Sequence, residues 1–329
     1  MLIIGVDVSQ DSLDCASLVK DTGKQLGQRS FPNAPDGVER LLTWARRLPN
    51  TEDASIHLIV EATACYHELI ARSVAATNMS VSVANPARVR SFARGTGVLT
   101  KTDRIDALVL ARYGQLASPK LWKPPAKELE DLQALISRLD EVEADLRREQ
   151  NRLDQARHRE CPAVVLESFL ESISANKARK KVLQKATLLH TEAFTTLQVD
   201  FKRLLTIPAV GPKTAARMLV LLRSRHFENA RQVAAFLGLV PVEHQSGKSI
   251  QGRPHLSKAG NPRLRAALYM AAVVAIKVNP DIRSQQARLL GRGKAKMSTL
   301  GAAMRKLVHL CFGVLKSCRD YEAPAAVSA

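Results

Sequence analysis

Apolar and polar positions change their period along this chain. Leu2–Val8 and Asp14–Val19 read as two strands, and the turn Asp21-Thr22-Gly23-Lys24 leads into a third, Gln25–Phe31. Pro35–Leu48 carries apolar residues at helical spacing, Ile56–Val60 is a fourth strand, and Tyr66–Ala76 is helical again. Ser80–Ala84 makes a fifth strand, stopped by Asn85-Pro86. After Trp122-Lys123-Pro124-Pro125 the period becomes close to a heptad, with Leu129, Leu132, Ile136, Leu139, Val142, Leu146 and Leu153 on one seam. A second helix is expected over Asn176–Asp200, after a break near Cys161-Pro162. An apolar helix covers Ala266–Val278.

This order predicts three parts. Three antiparallel strands followed by alternating helices and strands is the order of an α/β ribonuclease H-like (RuvC-like) domain, expected over residues 1–126. Residues 127–199 form a helical spacer, either a hairpin that separates the domains or a coiled coil that joins two chains. Residues 200–329 form a mainly α-helical third part. It opens with Leu204-Leu205-Thr206-Ile207-Pro208-Ala209-Val210-Gly211-Pro212-Lys213, a helix–hairpin–helix-like element whose turn would offer backbone N–H groups to a phosphate.

Charge separates these parts more sharply than hydropathy does. The chain has a net charge of +18 and a pI near 10.0, which points to a polyanionic partner. Residues 1–126 hold 15 Lys and Arg against 12 Asp and Glu, and residues 127–199 hold 12 against 13. Residues 200–329 hold 22 against 6, so nearly all the excess lies there. Lys213, Lys248, Arg253, Lys258, Arg263 and Arg265 are its candidate nucleic-acid contacts. Cys15, Cys65, Cys161, Cys311 and Cys318 form no CxxC pair, which argues against disulfides and structural zinc and for a reducing compartment. No apolar run reaches the ~18–20 residues of a membrane span, and Asp7 interrupts the first one, so no membrane partner or signal peptide is expected.

Four carboxylates carry the chemistry. Asp7 in GVDVS and Glu61 in HLIVEATACYHE each stand where a strand ends, while Asp103 and Asp106 in KTDRIDA are three apart, on one face of a helix. Brought together they repel one another unless a cation neutralises them. Hard oxygen ligands of this kind suit Mg²⁺ or Mn²⁺, and two such ions can clamp the attacking and leaving oxygens of a phosphodiester. Asp11 and Asp14 are assigned to the turn and the second strand instead. In the third part, the loop Glu243–Arg253 sets Ser246 and Ser249 among glycines and cations, a composition that by itself fits a solvated loop.

Together the segments GVDVS, EATxxYH, NPxxVRxFA, KTDRIDA, IPxVGPKTA, FxNARQxAAxLGLVP, HQSGKS and SKAGNPRLRxALYMAA resemble, in order, the DEDD transposases of the Piv/MooV type. The resemblance covers about residues 2–113 and 200–285. It implies an insertion-sequence recombinase of the bacterial cytoplasm, associated with the nucleoid. Its metal tetrad falls on Asp7, Glu61, Asp103 and Asp106, and its nucleophile on Ser246. The implied partners are donor and target DNA, a guide (bridge) RNA, and further copies of the chain in a dimer or tetramer. Ala64 and Ala209 depart from the family pattern, each standing where glycine is usual. A RuvC-like nuclease would need the acids but not Ser246, and a non-catalytic nucleic-acid-binding protein would need neither.

Overall fold

The computed structural model describes residues 1–49, 55–98, 100, 102–243, 245–246, 250–252 and 254–323; at 245–246 and 250–251 only the backbone pairing is described. The chain divides into two compact units, Met1–Pro124 and Pro125–Ala329.

The first unit is built on five strands, β1 (Leu2–Val8), β2 (Ser12–Val19), β3 (Gln25–Pro32), β4 (Ile56–Glu61) and β5 (Ser80–Ala84). They lie in the order β3-β2-β1-β4-β5, with β1–β2 and β2–β3 antiparallel and β1–β4 and β4–β5 parallel. This is the mixed sheet that the order of elements predicted. Its central strands are nearly continuous apolar runs because helices cover both faces. Leu2, Ile4, Val6 and Val8 point to one face, under α1 (Pro35–Arg46) and α2 (Glu68–Ala75). Ile3 points to the other, under α3 (Pro86–Gly95) and α4 (Asp103–Ala117), and the period of two puts Gly5 and Asp7 on that side with it.

The segment that leaves this unit is tied back to β5. Trp122 N donates to Val81 O at 2.7 Å, and the Ser82 hydroxyl lies 2.8 Å from Lys120 O and 3.1 Å from Pro119 O. Ser82 has one proton to give, so the His57 ring, 2.8 Å from the same oxygen, donates through Nε2. Burial lowers the pKa of His57 and keeps that ring neutral.

The second unit is mainly helical: α5 (Lys127–His158), α6 (Ala163–Ala193), α7 (Thr195–Leu205), α8 (Pro212–Ser224), α9 (Ala230–Phe236), α10 (Pro262–Val278), α11 (Pro280–Gly291) and α12 (Lys296–Ser317). Most of the predicted seam of α5 is buried, and α5 packs along α6 as a hairpin within the chain. Leu129, Leu132 and Ile136 of α5 enter the same core as Leu204, Leu219, Leu268 and Leu307. Residues 127–199 therefore share one compact unit with 200–329, and a shared core replaces the boundary expected at 199/200.

The second helix of the hairpin begins at Ala163 rather than Asn176. Pro162 opens it, and Leu166, Phe169 and Ile173 recur at helical spacing along its first turns, a stripe that a start at Asn176 leaves out. It stops at Phe194, whose extended backbone (φ −115°, ψ 113°) separates α6 from α7.

Candidate active site

Asp7 is the penultimate residue of β1 and Glu61 the last of β4. These strands run parallel with Val6 opposite Val60, so the two carboxylates leave neighbouring strand ends. Asp103 and Asp106 occupy the first turn of α4, where the helix dipole favours negative charge. Thr102 caps that helix by accepting from Ile105 N at 3.3 Å. Glycine brings helix and strand together: a Cβ on Gly5 would lie 2.0 Å from Ala107 O and 2.3 Å from Ala111 N. The α4 backbone therefore rests directly on β1, two residues before Asp7, and one turn past Asp103. Gly114 makes the same close approach to Ile59 and Ile3 further along.

The consequence is electrostatic. Burial, with the charges of Asp106, Glu61 and Asp103 in that order, raises the pKa of Asp7 to about 6, against a weaker opposing hydrogen bond from the Val8 amide. Among the described residues, no three Asp, Glu, His or Cys side chains converge closely enough to enclose an ion as they stand. The tetrad thus fits a divalent cation by charge and by donor type, and the carboxylates must draw together to hold one.

Other residues that position the acids gave no signal in the sequence. Gln28 Nε2 donates to Arg104 O at 2.6 Å, fixing the start of α4 to β3, and Gln115 Nε2 donates to Lys20 O at 2.8 Å near its end. Asn33 Nδ2 donates to Ser9 O at 2.9 Å and Tyr66 O at 3.1 Å, joining the loops that follow Asp7 and Glu61. Asp14 pairs directly opposite Asp7 in the antiparallel register and so shares its face, with its carboxylate accepting from Ser12 Oγ at 3.2 Å.

In the second unit, Phe236–Val240 and Ser257–Gly260 interlock. Gly238 (φ 69°) and Gly260 (φ 84°) leave no room for a Cβ, which would meet Ala259 O at 2.3 Å and Phe236 O at 2.1 Å respectively. A ribbon leaves this platform. Its outer pairs join β6 (Pro241–Val242) to β9 (His255–Leu256), and its inner pairs join β7 (Gln245–Ser246) to β8 (Ile250–Gln251). Ser246, paired with Ile250, stands at the closing end of that ribbon. Its side chain lies outside the described residues, as do Lys248, Ser249 and Arg253.

The other predicted cation contacts divide. Lys258 and Arg263 are exposed. Lys213 is paired with Glu143, which also pairs with Lys180 at 3.4 Å. Arg265 Nη1 donates to Ala259 O at 2.8 Å and Gly260 O at 2.9 Å, so this guanidinium holds the interlocked turns. A charge count cannot separate a cation spent on the fold from one left for a ligand. Ala64 (φ 43°) and Ala209 (φ 78°) both adopt the left-handed backbone that glycine favours. Ala209 lies in the turn between α7 and α8.

Two family models match the chain. The transposase model DEDD_Tnp_IS110 covers residues 4–161, and the model described as Transposase IS116/IS110/IS902 family covers residues 201–287. The pilin gene-inverting protein of Moraxella lacunata is 28% identical over 323 residues, 97% of each chain. The transposase of insertion sequence element IS1111A from Coxiella burnetii is 27% identical over 57% of each. A solved structure of T. thermophilus RuvC with a Holliday junction substrate aligns with 37% of this chain and 99% of its own, at 14% identity and a TM-score of 0.29, too slight a likeness to build on.

Proposed function

The chain belongs to the IS110/IS116/IS902 transposase family, and on that premise we propose that it cleaves and rejoins DNA with a carboxylate-held metal and a serine nucleophile. The observation that carries this reading is the gathering of Glu61, Asp103 and Asp106 around Asp7, whose pKa burial and then those three charges raise to about 6. Structural roles rarely require four acids to repel one another; a cation turns that repulsion into affinity. Asp7, Glu61, Asp103 and Asp106 would hold Mg²⁺ or Mn²⁺, which supplies charge neutralisation at the phosphate when bound.

The chain's own residues do the rest. Ser246 Oγ gives up its proton and attacks the phosphorus, the bridging oxygen of the cleaved strand leaves and takes up a proton, and a serine–phosphate linkage keeps the bond energy for rejoining. Lys248 and Arg253, close in sequence to Ser246, offset the charge that develops on the phosphate. In functional terms residues 1–126 carry the acids and 200–329 carry the positive charge and the nucleophile, with the helices of 127–199 bracing that basic part from within its own core. Lys258 and Arg263 are exposed cations suited to nucleic acid. The proposed partners are donor and target DNA, a guide RNA that sets the target, and further copies of the chain in a dimer or tetramer.

Strand transfer between donor and target duplexes in Mg²⁺ tests this reading. Asp7→Ala, Glu61→Ala and Asp103→Ala should each abolish product while leaving nucleic-acid binding near wild type. Full strand transfer by Asp7→Ala in chelator would overturn it.

A further inference from the structure

The basic unit has a second cationic surface, where α9 meets α12. Arg305, His309, Phe312 and Lys316 recur on α12 at spacings of four, three and four, which places them on one face. Helix α9 packs against α12, and Lys316 Nζ donates to Glu228 O at 3.2 Å, just before α9, while lying 5.5 Å from the centre of the Phe312 ring. This places Arg231, in the first turn of α9, beside the same face. Acids near it are already engaged: Asp281 of α11 pairs with Lys306 at 3.6 Å, and the Glu228 carboxylate accepts from Gln232 Nε2 at 2.9 Å. Among the described residues, Arg231 and Arg305 have no acidic partner. His309 between them has a buried Nε2 without a hydrogen-bond partner.

We propose that Arg231 and Arg305, flanking His309, form a contact for the phosphodiester backbone of a bound nucleic acid. The assignment rests on the reading of the chain as a nucleic-acid enzyme and adds a place on it where the backbone is held. Arg231 and Arg305, neither of them ion-paired among the described residues, repel one another across His309, and a phosphate between them removes that repulsion. The state of His309 agrees: burial, then the charges of Arg305, Lys306 and Arg231, hold its pKa below the usual histidine value. A phosphate between the two arginines offsets part of that field, so the titration of His309 moves upward on binding.

The test is the salt dependence of binding by the full chain, measured by anisotropy with a labelled 30-base-pair DNA duplex and with an unstructured single-stranded RNA. Each phosphate contact adds about 0.9 to the slope of log affinity against log salt for duplex DNA and about 0.7 for single strands. R231Q/R305Q should lower the slope by about 1.8 on duplex DNA, or by about 1.4 on RNA, and the probe that responds identifies the polymer held here. R231K/R305K, which keeps both charges, should retain the wild-type slope. Unchanged slopes for R231Q/R305Q on both probes, with binding intact, would overturn this contact and leave the proposed function standing. Equal loss in R231K/R305K would also overturn it, because the arginines would then serve the fold. Wild-type binding that ignores salt on both probes would overturn the underlying reading itself.

Discussion

Asp7 is an acid whose surroundings disfavour its charge. Its pKa is raised from 3.8 to about 6, so the folded state binds this proton more tightly than the unfolded state does. Its contribution to stability is fully present below about pH 4 and is lost as pH rises through about 6. In chelator at pH 7, Asp7→Asn should therefore be more stable than wild type by about 1–2 kcal/mol, after discounting for partial exposure. The gap should close toward pH 4, as followed by urea unfolding. A destabilised Asp7→Asn at pH 7 would mean that the carboxylate is a structural partner. At Ala209 the strain is in the backbone: at φ 78° a Cβ costs about 1 kcal/mol. Ala209→Gly should thus raise the unfolding free energy by roughly 0.5–1 kcal/mol.

Among the elements, α4 matters most, because it carries half of the tetrad and rests on β1 at Gly5. Gly5→Ala should cost more than about 3 kcal/mol and abolish strand transfer, since the added methyl meets α4 backbone and cannot be absorbed by a side-chain rotation. Near-wild-type melting of this variant would show that the packing of α4 on β1 is looser than described. Much of this arrangement was legible in the sequence. Strand periodicity located the five strands, and strand ends with helical spacing located the four acids. The supports were not legible, because Gln28 and Asn33 act through backbone carbonyls distant in sequence. The start of α6 was legible in Leu166, Phe169 and Ile173, which recur at helical spacing, and the expected start at Asn176 passed over them. Lys213 and Arg265 read as ligand contacts because a count of cations does not show their partners.

For the whole molecule, the two units divide the labour by charge. Residues 200–329 hold 22 cations against 6 acids and share their core with α5, so the basic fragment that should fold begins at Pro125, not at residue 200. That fragment should bind duplex DNA with a steep salt dependence, and fragment 1–124 should bind weakly; equal, salt-insensitive affinities would refute the division. In the proposed reaction a serine on the basic unit becomes joined to DNA. Its most direct test is to trap the full chain on a nicked duplex in Mg²⁺ and map any protein–DNA adduct by mass spectrometry. The expected result is an adduct on the peptide containing Ser246 that Ser246→Ala loses, with DNA binding retained. An adduct that persists in Ser246→Ala, or cleavage by the wild-type chain with no adduct, would contradict it.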